Sequence, residues 1–298
     1  MSAYYGKVCR VLQRLGDKVR EFRSPRAALI PHEWLKHAPD LHGKEVCLFV
    51  TYAPEARLDP VAEYHARAWA NQGFTTILIV NADGPAAFAR NADFPFAAGV
   101  LLRRNAGFDF GAWSTAILEL PGLRGARIAV MANDSLYGPF CGFDRFVDRF
   151  RRSPADFIGA IESIEIERHY QSFIFAFSNW GLNQAAFWRF WRRVRLGELN
   201  QIIGRYEVRM LSYFRRHGYR TDALIPIELS QAPVNRTLTS WRELIEAGFP
   251  FLKRRLSRTG PPTAGNEDWC EFIMTRGYDP RLLLCDKAGD APASTSVS

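Results

Sequence analysis

The chain has 298 residues, 47% hydrophobic and 23% charged, a globular composition that excludes a disordered or fibrous protein. A net charge of +8, carried more by arginine than by lysine, favours acidic partners such as phosphorylated ligands or an anionic membrane surface. Five scattered cysteines (Cys9, Cys47, Cys141, Cys270, Cys285) without C-x-x-C spacing argue against a zinc knuckle and a disulfide framework. They fit a reducing compartment, and with no signal-like opening run the expected location is cytoplasmic.

Taken in order, Tyr4 to Phe22 reads as a basic amphipathic helix, suited either to an anionic membrane surface or to packing on the domain. Strands follow at Val46–Tyr52, Thr75–Val80, Gly99–Arg103 and Arg127–Ala132, separated by helical patterns at Pro60–Gln72 and Phe110–Leu120. Strands and helices alternating at this spacing predict an α/β fold, a mostly parallel, Rossmann-like sheet flanked by helices. A helix at Phe143–Arg152, strands at Asp156–Ile161 and Ser172–Phe177, a helix at Asn183–Arg195 and a last strand at Thr221–Ile225 complete the core. Residues 286–298 are small and polar, a disordered tail by composition.

Ligands of open parallel sheets bind at the carboxyl ends of strands. Those ends carry Thr51 and Tyr52, then Asn81 and Asp83, then Arg103, Arg104 and Asn105, then Asn133, Asp134 and Ser135. Together the aromatic, amide, carboxylate and guanidinium groups suit a nucleotide diphosphate. Gly107 and Gly111 allow a tight turn, and Asp109 between them is either a helix N-cap or a contact to the nucleoside. Asp134 supplies one oxygen ligand for a divalent cation, Mg²⁺ or Mn²⁺, on a diphosphate; Arg103 and Arg104 could neutralise that charge instead.

The segment Ile203–Phe214 reads as a helix whose inward stripe is Ile203, Tyr206, Glu207, Met210, Leu211 and Phe214. A carboxylate in such a stripe is costly unless it is paired or faces a cleft, so Glu207 is either a structural ion pair with an arginine or a base. Glu162, at a strand end, is the reserve candidate for base. His169 and Gln171 lie between two strands, and Trp241 could line an acceptor groove or fill the core. Lys253, Arg254, Arg255 and Arg258 form a basic cluster suited to phospholipid headgroups or a lipid diphosphate. The basic residues are otherwise dispersed without a recognition motif, so nucleic acid is not an expected partner.

Several long motifs stand in one order: Asn105-x-Gly-x-Asp-Phe-Gly-Ala-Trp113, Asn133-Asp-Ser-x-Tyr-Gly-Pro-Phe140, His169-x-Gln-Ser172 and Tyr206-Glu207 with Gly218-Tyr219. Trp241-Arg-Glu-Leu-Ile245, Gly248-Phe-Pro-Phe-Leu-Lys253 and Gly277-Tyr-Asp279 follow. In these the chain resembles the rhamnan synthesis protein F family of glycosyltransferase-like proteins of bacterial surface polysaccharide synthesis, from about Lys44 to Tyr278. The resemblance implies a glycosyltransferase A-like domain over residues 31–285, with a donor half at about 44–140 and an acceptor half at about 141–285. It implies an inverting transfer from a nucleotide sugar such as dTDP-L-rhamnose to a lipid-linked or oligosaccharide acceptor, at the inner face of the plasma membrane. Thr51, Tyr52, Asp83, Arg103, Arg104, Asn105, Gly107, Asp109, Asn133, Asp134 and Ser135 would then serve the donor. Gln171 and Trp241 would serve the acceptor, and Glu207 and His169 catalysis. Where that fold normally carries Asp-x-Asp, this chain has Asn133-Asp134-Ser135, which leaves metal use open. The same departure supports an alternative, a non-catalytic glycan- or nucleotide-sugar-binding module organising a membrane-surface assembly.

Overall fold

The computed structural model describes residues 24–54, 57–84, 93–140, 142–227, 233–258 and 269–283. The amphipathic helix expected at Tyr4–Phe22 and the tail at 286–298 lie outside these residues. The described residues form eleven strands: β1 (His32–Lys36), β2 (Glu45–Tyr52), β3 (Thr75–Ala82), β4 (Gly99–Arg104), β5 (Ile128–Asn133), β6 (Leu136–Tyr137), β7 (Phe157–Ser163), β8 (His169–Tyr170), β9 (Ile174–Ser178), β10 (Thr221–Ile225) and β11 (Leu252–Lys253). Nine of them form one mixed sheet in the order β1-β4-β3-β2-β5-β9-β7-β10, with β8 pairing β7; β6 and β11 pair separately.

The centre of that sheet, β4-β3-β2-β5, is all parallel, and β1, β9 and β7 extend it through antiparallel pairings. The parallel strands are unbroken apolar runs because both faces are covered: every residue of β5 and seven of the eight in β3 are buried. Helix α1 (Pro60–Asn71) starts where the sequence signals it, with Asp59 accepting from the Val61 amide at 2.9 Å and Pro60 in the first turn. Helix α2 (Phe108–Glu119) lies on the other face, where the Trp113 indole donates to the Leu48 carbonyl at 3.1 Å. Helix α3 (Phe143–Arg152) buries Phe143, Phe146, Val147 and Phe150 at helical spacing.

Three features differ from the sequence-based expectation. The helix expected at Asn183–Arg195 begins only at Ala185, as α5 (Ala185–Arg192), because Gln184 is extended; a separate α4 (Asn179–Asn183), started by Ser178 accepting from the Gly181 amide, precedes it. The single helix expected over Ile203–Phe214 is α6 (Leu199–Ile202), a π-helical turn at Ile203–Glu207, and α7 (Val208–Arg216). The short strands β6, β8 and β11 and the edge strand β1 were not expected. Helices α8 (Arg236–Thr239), α9 (Trp241–Glu246) and α10 (Trp269–Met274) end the described chain. They enclose a third apolar cluster of Tyr137, Trp241, Leu252, Trp269 and Tyr278 beside the two that flank the sheet.

Gly159 fixes β8 against the sheet. A Cβ there would collide with Cγ of Tyr170, whose ring fills the space. Gly159→Ala is expected to destabilise the protein by about 1–3 kcal/mol, the usual cost of overpacking, measured as a fall in denaturant midpoint at unchanged slope.

Candidate functional site

The strand order reverses at β2: the chain moves outward through β3 and β4, then returns to place β5 on the other side. Such a reversal opens a crevice at the carboxyl ends of the two diverging strands. There Asp134, just past β5, accepts from the Thr51 hydroxyl at 2.8 Å and the Tyr52 amide at 3.0 Å. Burial raises the Asp134 carboxyl; the Tyr52 amide, the Thr51 hydroxyl and the nearby Arg254 guanidinium oppose that rise. The Tyr52 hydroxyl donates to Asp83 at 2.5 Å and also meets Asn105. Tyr52, Asp83, Arg104 and Asn105 make an exposed polar rim.

Beside the rim lies an open cavity of about 340 Å³. One wall is the turn into α2. Gly107 has φ +76° and Phe108 φ +53°, a conformation that non-glycine residues rarely adopt and that here sits at the cavity lip. Arg103 holds this turn from below, donating to the Ala106 carbonyl at 2.9 Å and to Asn81 at 2.5 Å. Gly111 permits the closeness, since a Cβ there would stand 2.8 Å from the Ala106 oxygen. Asp109 and Asn133 face the cavity, joined by a 2.7 Å hydrogen bond from the Asn133 amide.

Opposite stand His169, Gln171 and Ser172 from β8 and the chain leading to β9, and the stretch 199–207. The π-helical turn inserts one extra residue into the ladder and swings Glu207 out of the apolar stripe toward the cavity. Glu207 accepts from the Ser172 amide at 3.2 Å, and among the described residues no arginine pairs with it. His169 is buried, its Nδ1 2.6 Å from the Glu167 carbonyl oxygen. Lys253 of β11 enters from the fourth side, its ammonium 3.5 Å from the Ser135 hydroxyl and 4.8 Å above the Phe173 ring.

The charges are coupled. Burial, then the Asp134 charge, push the Asp109 carboxyl up to about 7, against the Asn133 hydrogen bond and Lys253, with Glu207 adding to the rise. Burial lowers the Lys253 ammonium, while Glu207 and Asp109 hold it up. Two carboxylates thus share one lysine in an open cavity at the strand tips.

The structure brings together Asp109, Asn133, Ser135, His169, Gln171 and Glu207 in the cavity, and Thr51, Tyr52, Asp83, Arg104, Asn105 and Asp134 along the adjoining crevice. Other expected placements need correction. Arg103 is fully buried and braces the turn rather than facing a ligand; burial lowers its guanidinium to about 10. Gly107 acts through backbone shape, and it, not Asp109, is the N-cap of α2. Trp241 is buried in the third cluster, edge-on to Phe272 at 5.1 Å, and does not line the cavity. Glu162 is buried and engaged by Arg168 at 2.9 Å and the Ile227 amide. Lys253 and Arg255, read from the sequence as part of a basic cluster for phospholipid headgroups or a lipid diphosphate, line the cavity, because β11 pairs with β6 next to Ser135.

Both bonds to Asp134 fall on Oδ2, and among the described residues no group of three or more His, Cys, Asp or Glu could hold a metal, so a cation here would need oxygens from the bound diphosphate as well as Asp134.

A family model described as rhamnan synthesis protein F matches residues 80–274. The virulence protein VirA of Vibrio anguillarum is 25% identical over 256 residues, 73% of this chain and 81% of that protein. An uncharacterised protein of Sinorhizobium fredii is 24% identical over 155 residues, 49% of this chain and 40% of that protein. Among solved structures, a mannosyltransferase from Pyrobaculum calidifontis in complex with GDP-mannose and Mn²⁺ aligns with TM-score 0.39 and 13% identity, over 97% of this chain and 83% of that one. A putative glucose-1-phosphate thymidylyltransferase from Bacillus anthracis in complex with sucrose aligns with TM-score 0.40 and 11% identity, over 62% and 87%. No described helix is long and apolar enough to cross a membrane.

Proposed function

This chain belongs to the rhamnan synthesis protein F family, and from that premise we propose that it is an inverting glycosyltransferase using a nucleotide diphosphate sugar. One observation carries the reading: Glu207, free of any arginine among the described residues, opens into the cavity that Asp109, Asn133 and Ser135 line at the strand tips. The acceptor hydroxyl gives its proton to Glu207, and its oxygen forms the new bond to the anomeric carbon. The bond from that carbon to the diphosphate breaks on the opposite face, and the nucleoside diphosphate leaves with the electron pair. Lys253 and Arg255, rather than Arg103, face the charge that develops on it. Tyr52, Asp83 and Asn105 are assigned to the nucleoside, with Thr51 and Asp134 shaping the crevice beneath it and Arg104 beside it. His169 and Gln171 form the acceptor wall.

In keeping with the rhamnan named in the family description, the donor is assigned as a deoxyhexose nucleotide such as dTDP-L-rhamnose; the acceptor is assigned as a lipid-linked glycan or oligosaccharide at the cytoplasmic face of the membrane. A panel of dTDP-, UDP- and GDP-sugars offered to the purified protein tests this. Consumption of dTDP-L-rhamnose with inversion at the anomeric carbon is expected, and a panel left untouched in the presence of oligosaccharide acceptors would sink the reading. Lys253→Met is expected to weaken dTDP binding about 10- to 100-fold, the range for a lost charged hydrogen bond, measured by calorimetry.

A second reading, a non-catalytic module that binds nucleotide sugar or glycan, draws support from Asp134, whose carboxylate is engaged by Thr51 and Tyr52. It predicts saturable dTDP binding with no turnover of any donor, and equal behaviour of wild type and a Glu207→Gln variant.

A further inference from the structure

Outside the cavity, α5 and α7 lie side by side, joined by the Phe190 and Tyr213 rings at 5.2 Å and by the Tyr213 hydroxyl donating to the Ala186 carbonyl at 3.1 Å. On α5, Arg189, Arg192 and Arg193 stand at i, i+3 and i+4, all exposed on one face. On α7, Arg209 and Arg216 flank Tyr213 at i−4 and i+3 and are likewise exposed. Arg189 and Arg193 are the cations that act on the Tyr213 hydroxyl, so the two stripes meet there. Neither helix carries an Asp or Glu, and no carboxylate of the described residues pairs with any of these five arginines. Unpaired guanidinium groups on adjoining helices repel one another and are stabilised by an external anionic surface.

Two further observations say which surface. The link between the helices, 193–207, ends in the stretch 199–207 that forms one cavity wall, and Leu199 at that wall is 50% exposed. The described chain also begins here: Arg195 donates to the Ser24 carbonyl at 2.6 Å, and the Ala27 amide donates to the Val194 carbonyl at 2.9 Å. The sequence before Ser24 carries Lys7, Arg10, Arg14, Lys18, Arg20 and Arg23 against Asp17 and Glu21, a net positive stretch by composition. Arginine stripes with an exposed leucine at their end match a lipid surface, anionic at the headgroups and apolar beneath, better than a purely ionic partner.

We propose that the α5–α7 arginine face docks on anionic phospholipid headgroups and brings the cavity mouth at Leu199 to the bilayer. The inference needs no transfer activity and stands or falls separately from it. Full-length protein is mixed with vesicles of phosphatidylcholine, with and without phosphatidylglycerol, and bound protein is measured by sedimentation. Binding only to the phosphatidylglycerol vesicles is expected, and release in about 1 M salt, where screening acts within about 3 Å.

Each arginine near such a surface contributes about fivefold, so Arg189→Glu/Arg193→Glu/Arg209→Glu, which also adds three repelled charges, is expected to cut binding by more than roughly 100-fold at unchanged circular dichroism. Should that variant fold poorly, the milder Arg209→Gln/Arg216→Gln is expected to lose roughly 25-fold by the same arithmetic. No binding to phosphatidylglycerol, or binding by folded variants equal to wild type, would overturn the proposal. An oligonucleotide that binds more tightly than the vesicles, and that the variants release, would overturn it in favour of nucleic acid.

Discussion

Glu207→Gln is expected to lower the rate of sugar transfer by about 10²–10⁴-fold, the usual contribution of a positioned general base, with dTDP affinity unchanged. The amide oxygen of glutamine can still accept from the Ser172 amide, so the π-helical turn keeps its tie to the acceptor wall. What disappears is the carboxylate's basicity, since an amide oxygen accepts a hydrogen bond but does not take the acceptor's proton. The reserve candidate Glu162 cannot replace it, being buried and engaged by Arg168 and the Ile227 amide. Initial rates with a fixed donor and acceptor decide the matter. A rate within about threefold of wild type, far short of a general base's share, removes Glu207 as the base.

Asp109→Asn is expected to stabilise the protein above neutral pH, an unusual sign for a change at a half-buried position that keeps its hydrogen-bond partner. In the folded state the Asp109 carboxyl is pushed up to about 7, whereas an unfolded chain ionises it near its ordinary value of 3.8. Between those values the folded protein holds a proton that the unfolded chain has released. Stability therefore falls as pH rises through that window and levels off above about 7. The loss at pH 8 is at most about 4–5 kcal/mol, at about 1.4 kcal/mol for each of the roughly three pH units that separate the folded and unfolded values. Asparagine removes the ionisation and can still accept from the Asn133 amide through its own oxygen. The variant should melt several degrees higher than wild type at pH 8 and show a flatter melting profile from pH 5 to 8. Equal melting temperatures across that range would show that Asp109 ionises freely in the folded protein.

The parallel core was readable from the sequence because its strands are covered on both faces. Ile77–Val80 and Ile128–Ala132 are continuous apolar runs, followed by asparagine, as strands covered on both faces require. Asp59-Pro60 and Gln72-Gly73 likewise marked both ends of α1. Edge strand β1 was missed because His32–Lys36 is only partly buried and lacks alternation. Strands β6, β8 and β11 have two residues each, too few to show any period.

At the site, Glu207 was conspicuous because it interrupts an apolar stripe, but the π-helical turn that re-aims it leaves no mark in residue spacing. Arg103 was misjudged for a related reason. A strand tip normally faces solvent, and nothing local foretold that the Gly107 turn would fold back over that guanidinium. Lys253 was placed at the surface because its neighbours are basic. Only the pairing of β11 with β6, set by contacts between residues more than a hundred positions apart, turns it toward Ser135. The aromatic character of Trp241 could not separate a groove from a core, and the third cluster took it.

The account turns on whether the crevice beside β2 and β5 and the cavity next to it receive a nucleoside diphosphate. Calorimetric titration of dTDP and UDP into the purified full-length protein measures this directly. Saturable one-to-one binding of a nucleoside diphosphate, weakened in Lys253→Met and retained in Glu207→Gln, is the predicted result. Absence of binding by either nucleotide, or binding indifferent to Lys253, would contradict it.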